Sequence, residues 1–532
     1  MQQPFLQKKD KESLIIGATI LPSTFDPDNF SKVNPWKNPM NWDMQVQLFD
    51  TLFEYDTQII NNTKVQDTSK ILPVLAESIS SSQDGYIHQI KLKQNIYSEY
   101  GNELTADDIA WSWQATKASP DKPQPPNIHW LDTKDPGEVG RWIALTGSAP
   151  VETNPLSIVD KYTVEFTLRE PSIAFPHILT MMLPPIYDSV EAKKHANSKD
   201  LYARNWLAGH SCGFSVYGVD EISKEFIVLK SRNSYSRINP QIKKIKYQLI
   251  NADDRINLIK KGDIDLITSL SPEEAESLSS INSIKVFEAS GNQQLSMQMD
   301  TRIYPFNNLS FRKALMHLTP YRTILDKIYL GHARAWKGVV SDISPAYEHL
   351  FSGKTSSLQA KQELLKSTYR GETIKLSYIK QNELQKNIVN SICLQAKKIN
   401  LLIDPDPIDA GQMSSMQKKF QIPFAIAGGG HRCAEMSYAM PHDFGDQTYG
   451  ITNWINYNNK KLNILIEKIK YCRNEIERLG LIKESHSIVA NDLPWIFIAQ
   501  PNYMIAFQNN LKNISWRSRA SGPQSYAQLY WQ

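Results

Sequence analysis

Residues 229–267 read LKSRNSYSRINPQIKKIKYQLINADDRINLIKKGDIDLI, and the reading of this stretch decides the fold. A strand through Leu229 runs into an Arg232-Asn233-Ser234-Tyr235 turn, and a second strand follows. A short helix comes next and stops at Lys261-Gly262-Asp263, because glycine past the last turn is the usual helix terminator. A third strand is expected to carry Asp263 and Asp265. Strand, helix and strand within forty residues predict mixed α/β architecture.

The rest of the chain agrees with a large globular protein. Its 532 residues are enough for several lobes and for a core that needs neither disulfide nor metal. A hydrophobic content of 41% and a charged content of 21% are ordinary. The net charge of +4 is spread along the chain, and the densest basic run, Lys243–Lys246, reads as a solvated strand or turn, so no nucleic-acid partner is expected. No segment approaches the roughly 20 apolar residues of a membrane span. Met1–Ser13 is polar and charged and does not read as a secretory signal. Four cysteines, Cys212, Cys393, Cys433 and Cys472, suit either an oxidising or a reducing compartment.

Outward from the opening stretch, Leu14–Phe25 reads as a strand entering a Pro-Ser-Thr loop. Asn41–Tyr55 has helical spacing, with Asp43 as its cap. Ser82-Gln83-Asp84-Gly85 separates two strands, and Thr105 caps a helix with Asp107 and Asp108 in its first turn. Residues 120–140 read as a long loop. Phe311–Leu330 is expected to be helical, Ile374–Tyr378 a strand, Asn382–Asn400 an amphipathic helix, and Phe424–Gly430 a strand. Lys460–Ala490 is read as one or two helices, and Pro494–Ala499 with Ile505–Phe507 as a terminal hairpin.

Several motifs, in order along some 450 residues, carry a resemblance. They are Leu48-Phe49-Asp50-Thr51-Leu52-Phe53-Glu54-Tyr55, then Leu72–Glu77 with Asp84-Gly85, and Leu104–Asp108 with Trp111 and Ser112. Phe311–Leu315 follows with Tyr321-Arg322 and Tyr329-Leu330-Gly331, and the closing segment is Pro494–Phe507. Together with residues 229–267 they resemble the extracellular solute-binding proteins of family 5, the oligopeptide, dipeptide and nickel class of ABC importers. The resemblance implies a type II (class C) periplasmic-binding-protein fold, with two hinged lobes and an inserted extra domain. Lobe I would comprise residues 1–46, 173–289 and 494–532; lobe II, 47–172; lobe III, 290–493. It implies a monomeric, non-enzymatic receptor without cofactor, periplasmic or at the cell surface, that closes on a peptide-like solute and delivers it to a membrane permease. An oligosaccharide, an opine or a metal chelate on the same fold, or a cytosolic ligand-sensing domain, are the alternatives. The chain departs from the family pattern at Gly209–Phe214 and at Asn463.

The resemblance also implies site residues. Glu435, in Arg432-Cys433-Ala434-Glu435, stands where peptide-binding relatives anchor the ligand's ammonium; a solvated loop carboxylate is the alternative. Arg432 is either a carboxylate clamp or a surface residue. Trp130 sits where relatives present an aromatic. Ser23 and Thr24 resemble the loop that hydrogen-bonds ligand main chain. Ser296 and Gln298 alternate on one strand and so share a face, toward cleft or solvent. His210-x-Cys212 and His431-x-Cys433 pair as a disulfide, a soft-metal site, or merely free thiols; no metal site is assigned. No nucleophile elbow, zinc-hydrolase helix or phosphate-cradling loop is present. Asp263 and Asp265 could be a carboxylate pair, but they fall on a strand in a motif that the family uses structurally, so solvated or capping roles are expected.

Overall fold

Ser13–Ala18 is the central strand of a seven-stranded sheet, with Leu14, Ile16 and Ala18 essentially inaccessible. It runs parallel to Lys244–Leu249 on one side and to Leu266–Ile267 on the other, Ile16 lying opposite Tyr247 and Leu266. In the computed structural model the described residues are 10–27, 38–60, 63–117, 151, 155–182, 184–232, 238–290, 293–342, 344–430, 435–446, 453–516 and 525–532. They divide into two compact units: Met1–Ala289 with Met504–Gln532, and Ser290–Tyr503.

In the first unit the sheet order is Ile284–Ala289, Tyr503–Gln508, Leu266–Ile267, Ser13–Ala18, Lys244–Leu249, Phe226–Ser231, Tyr217–Ile222. The deciding stretch therefore supplies three neighbours or near neighbours of the central strand. Its helix, Arg255–Lys261, ends on Gly262 at φ +80°, as read from sequence. Nothing stands where a Cβ would go on Gly262, so Gly262→Ala tests the backbone alone. It should lower the unfolding free energy by about 1 kcal/mol in urea titration. The third strand is shorter than expected. Asp263 and Asp265 precede it, and the Asp265 carboxylate accepts from the Ile15 amide at 2.8 Å while its own amide donates to the Ile15 carbonyl at 2.7 Å. Asp265 is therefore buried and tied to the central strand, not solvated as the sequence suggested.

A second sheet in this unit is antiparallel, in the order Ala76–Ser81, Ile87–Leu92, Thr163–Thr167, Leu156–Asp160. Alternation along Ile87–Leu92 turns His88, Ile90 and Leu92 inward. They pack in a core that includes Ile109 and Trp113 of the helix Ala106–Lys117. The first helix differs from expectation. It spans Pro39–Leu48 and is capped by Asn38, whose side chain accepts from the Met40 amide; Pro39 suits a first-turn position, where no amide is needed. Asp43 is thus inside the helix rather than its cap.

In the second unit a six-stranded sheet runs Ala333–Ala335, Trp495–Pro501, Gln293–Met299, Phe424–Gly430, Ile374–Ile379, Ile403–Ile408. Both faces of its central strands are covered by helices. Met297, Met299, Ile426 and Ile498 meet helices Leu309–Leu318 and Glu383–Lys397 on one face. Trp495, Phe497 and Ala425 meet helices Met436–Phe444, Lys460–Tyr471 and Glu475–Asp492 on the other. The helix expected over Phe311–Leu330 breaks at Thr319-Pro320 and resumes as a π turn, Thr323–Ile328.

The terminal hairpin is not a hairpin. Trp495–Pro501 belongs to the six-stranded sheet and Tyr503–Gln508 to the seven-stranded one, with only Asn502 between them. Each of the two strands finds its partners in a different unit.

Candidate ligand site

In the first unit the Ser23–Thr24 loop follows the central strand and lies on the Pro39–Leu48 helix. The Ser23 amide donates to Asn41 Oδ1 at 2.7 Å, and Gln45 Nε2 donates to the Thr24 carbonyl at 3.1 Å. Thr24 is buried, and its hydroxyl accepts from the Asp26 amide at 3.2 Å, whereas Ser23 is exposed. The loop is anchored at Asp26, which is fully buried. Arg204 Nη1 donates to both of its carboxylate oxygens at 3.0 Å, and the Tyr187 hydroxyl donates at 2.6 Å. Arg204 Nη2 also donates to the Ala115 carbonyl at 2.5 Å, and the Phe25 amide to the Ala208 carbonyl at 3.0 Å. The loop so tied holds the exposed Ser23 on a fixed base, its hydroxyl donating to Asn41 Oδ1 at 3.3 Å and accepting from Asn41 Nδ2 at 3.2 Å.

In the second unit Glu435 caps the helix Met436–Phe444, its side chain accepting from the Ser437 amide at 3.0 Å. Arg478, from the helix Glu475–Asp492, meets the same carboxylate oxygen at 2.5 Å, and both side chains are more than four-fifths buried. Glu435 is thus not a solvated loop carboxylate; it is a capped and charge-balanced one. Ser296 and Gln298 do share a face, Gln298 Nε2 donating to Ser296 Oγ at 3.2 Å. That face is not solvent: both residues are buried, opposite Phe497 and Trp495 respectively. Trp130, Arg432 and Ala434, with His431 and Cys433, lie outside the described residues.

Cys212 is a free thiol, buried and donating to the Asp188 carbonyl at 3.4 Å; burial pushes its ionisation far up, which makes it inert at physiological pH. Among the described residues no group of three or more His, Cys, Asp or Glu side chains is placed to hold a metal. Arg204, Asn41 and Arg478 were not singled out in the sequence. Arg478 lies 43 residues from Glu435 and Arg204 lies 178 from Asp26, separations at which no local pattern signals a pair.

The chain matches the bacterial extracellular solute-binding proteins, family 5 (middle region), over residues 70–450, and it belongs to that family. It is 20% identical over 511 residues to the probable D,D-dipeptide-binding periplasmic protein DdpA of Escherichia coli K12, covering 94% of this chain and 91% of that one. It is 21% identical over 497 residues to the glutathione-binding protein GsiB of Shigella dysenteriae, covering 91% and 89%. Its fold is similar to that of the ABC transporter-associated periplasmic binding protein DppA from Helicobacter pylori, solved with the peptide STSA. The TM-score is 0.79 at 19% identity, with 98% of each chain covered. Among the described residues no helix is long and apolar enough to cross a membrane.

Proposed function

We propose that this chain is the receptor of an ABC importer, working in the periplasm or at the cell surface. It captures a short peptide or peptide-like solute and hands it, unaltered, to a membrane permease. The observation that carries the reading is the end-to-end alignment, over 94% of this chain, with a relative named for dipeptide binding. Three lobes suit it, with the last boundary moved from 493/494 to 503/504 because Trp495–Pro501 pairs within the second unit's sheet: residues 1–46, 173–289 and 504–532; 47–172; and 290–503. The separate sheets of the first unit support dividing that unit into the first two lobes. Capture by hinge closure is supported by connectivity, since the chain passes between the units only twice, at 289–290 and 503–504. A ligand then drives closure by its higher affinity for the closed state.

Within this reading the Ser23 hydroxyl is offered to ligand main chain and Glu435 holds the ligand's ammonium; Trp130, Arg432 and Ala434, outside the described residues, are assigned to the ligand by the family resemblance alone. The Arg478 charge offsets part of the pull of Glu435, so affinity for a free amino terminus should be modest. The test is a thermal shift with di- to pentapeptides, oligosaccharides and nickel chelates. A peptide at about 100 times its dissociation constant should add about 2.7 kcal/mol of stability. A response to sugars or chelates alone sinks the peptide reading. Glu435→Gln should weaken a peptide with a free amino terminus about tenfold and leave its N-acetylated form unchanged, charge-assisted hydrogen bonds being worth that much. Equal affinity of both forms for the two proteins would remove Glu435 from the site.

A further inference from the structure

Asn502 is the single residue between a strand of one unit and a strand of the other, and the second unit holds it tightly. Its amide donates to the His332 carbonyl at 3.0 Å. Its side-chain oxygen accepts from Arg334 Nη1. Arg334 is itself locked, its Nε and Nη2 forking onto Asp342 at 2.6 and 2.9 Å. Two residues back, Gln500 lies directly opposite Arg334 in the strand pair formed by Ala333–Ala335. Spacing by two puts Gln500 on the same side as Asn502. Gln500 is fully buried; its Nε2 donates to Ser341 Oγ at 2.8 Å and its Oε1 accepts from the Asp342 amide at 3.3 Å. The 341–342 turn, Arg334 and the alternate side chains of the crossing strand thus form one connected network.

We infer that Arg334, forked on Asp342 and gripping Asn502, is a positioning residue that fixes the direction in which the crossover strand leaves the second unit, so that any bend during capture falls beyond Asn502. This rests on the capture reading only for the bend; the clasp itself stands on the geometry. A fork–fork pair suits the task because two parallel hydrogen bonds define the plane of the guanidinium, which leaves its third nitrogen aimed at one point. A lysine keeps the charge and loses that plane.

The test is hydrogen–deuterium exchange of the unliganded full chain, read over residues 500–504 and, as a control, over the neighbouring strand Gln293–Met299. In Arg334→Met and Asn502→Ala, exchange over 500–504 should quicken about tenfold, the factor one charge-assisted hydrogen bond carries, with the control strand unchanged. Arg334→Lys should resemble Arg334→Met. Unchanged exchange at 500–504, equal quickening across the whole sheet, or full protection in Arg334→Lys would each overturn the inference. A second arm titrates tetraalanine and a lysine-containing tetrapeptide. Because the clasp touches no ligand, each variant should change both affinities by one common factor, and unequal factors would count against it. If neither peptide binds the unmodified protein, the capture reading fails while the exchange result still decides the clasp.

Discussion

Arg204→Met should lower the unfolding free energy by about 3–5 kcal/mol, because it removes the cationic partner of the fully buried Asp26 carboxylate. Asp26 takes both of its Arg204 hydrogen bonds from one guanidinium nitrogen, and a neutral donor such as the Tyr187 hydroxyl does not balance a full charge. The methionine fills the arginine's apolar volume, so the loss reports the charge rather than a cavity. The control is the double variant Asp26→Asn with Arg204→Met. With both charges gone, it should lie within about 1 kcal/mol of the unmodified protein, since a buried pair as a whole contributes little. Urea titration measures both. The local consequence separates this reading from general weakening. The Phe25 amide, bonded to Ala208 beside the ion pair, should exchange faster in Arg204→Met well before the central strand Ser13–Ala18 loses protection. If the single variant is as stable as the parent, the pair is not what holds the Ser23–Thr24 loop in place.

That loop shows where reading the sequence stops. Its position after the first strand is legible, because Leu14, Ile16 and Ala18 mark a buried strand and the Pro-Ser-Thr run cannot extend it. Its anchors are not, because Arg204 is 178 residues from Asp26. The helix stop at Gly262 is local chemistry, and it stands where it was read. The role of Asp43 was misread for the converse reason: an acidic residue near an apolar periodic run signals a cap, and nothing nearby reveals two tyrosines arriving from Tyr247 and Tyr526. Ser296 and Gln298 follow the same logic. Period-two alternation puts them on one face, but with apolar layers on both sides of that sheet the pattern is silent about which layer covers them. The false hairpin at Pro494–Phe507 is the most instructive case. Two strands separated by one residue look like neighbours in one sheet, and only the partners of each strand, far away in sequence, show that the chain is crossing from one unit to another.

Asp43 and His486 should give the two units opposite responses to acid. Asp43 is completely buried in the first unit, where Tyr247 and Tyr526 donate to its two oxygens at 2.8 and 2.7 Å. Burial outweighs these hydrogen bonds and raises its carboxyl from 3.8 to about 6. The folded state therefore holds this proton more tightly than the unfolded state. The stability it contributes is present below about pH 3.8 and is lost as pH rises through about 6. His486 is buried in the second unit on the helix Glu475–Asp492; burial, with the Lys483 charge adding to it and the Ala346 main chain opposing, lowers it from 6.5 to about 4. Here the neutral form is the folded one, so stability is present above about pH 6.5 and is lost as pH falls through about 4. Each effect amounts to about 3 kcal/mol across its window, from the free-energy value of a pKa difference. Between pH 4 and 6 they run in opposite directions and nearly cancel in any whole-protein measurement. Single variants separate them. The stability of Asp43→Asn relative to the parent should increase as pH rises from 4 to 6.5, and that of His486→Leu should increase as pH falls over the same range. Urea unfolding at half-unit pH intervals gives both differences. Parallel curves for variant and parent would show that the side chain concerned titrates alike in the folded and unfolded chain.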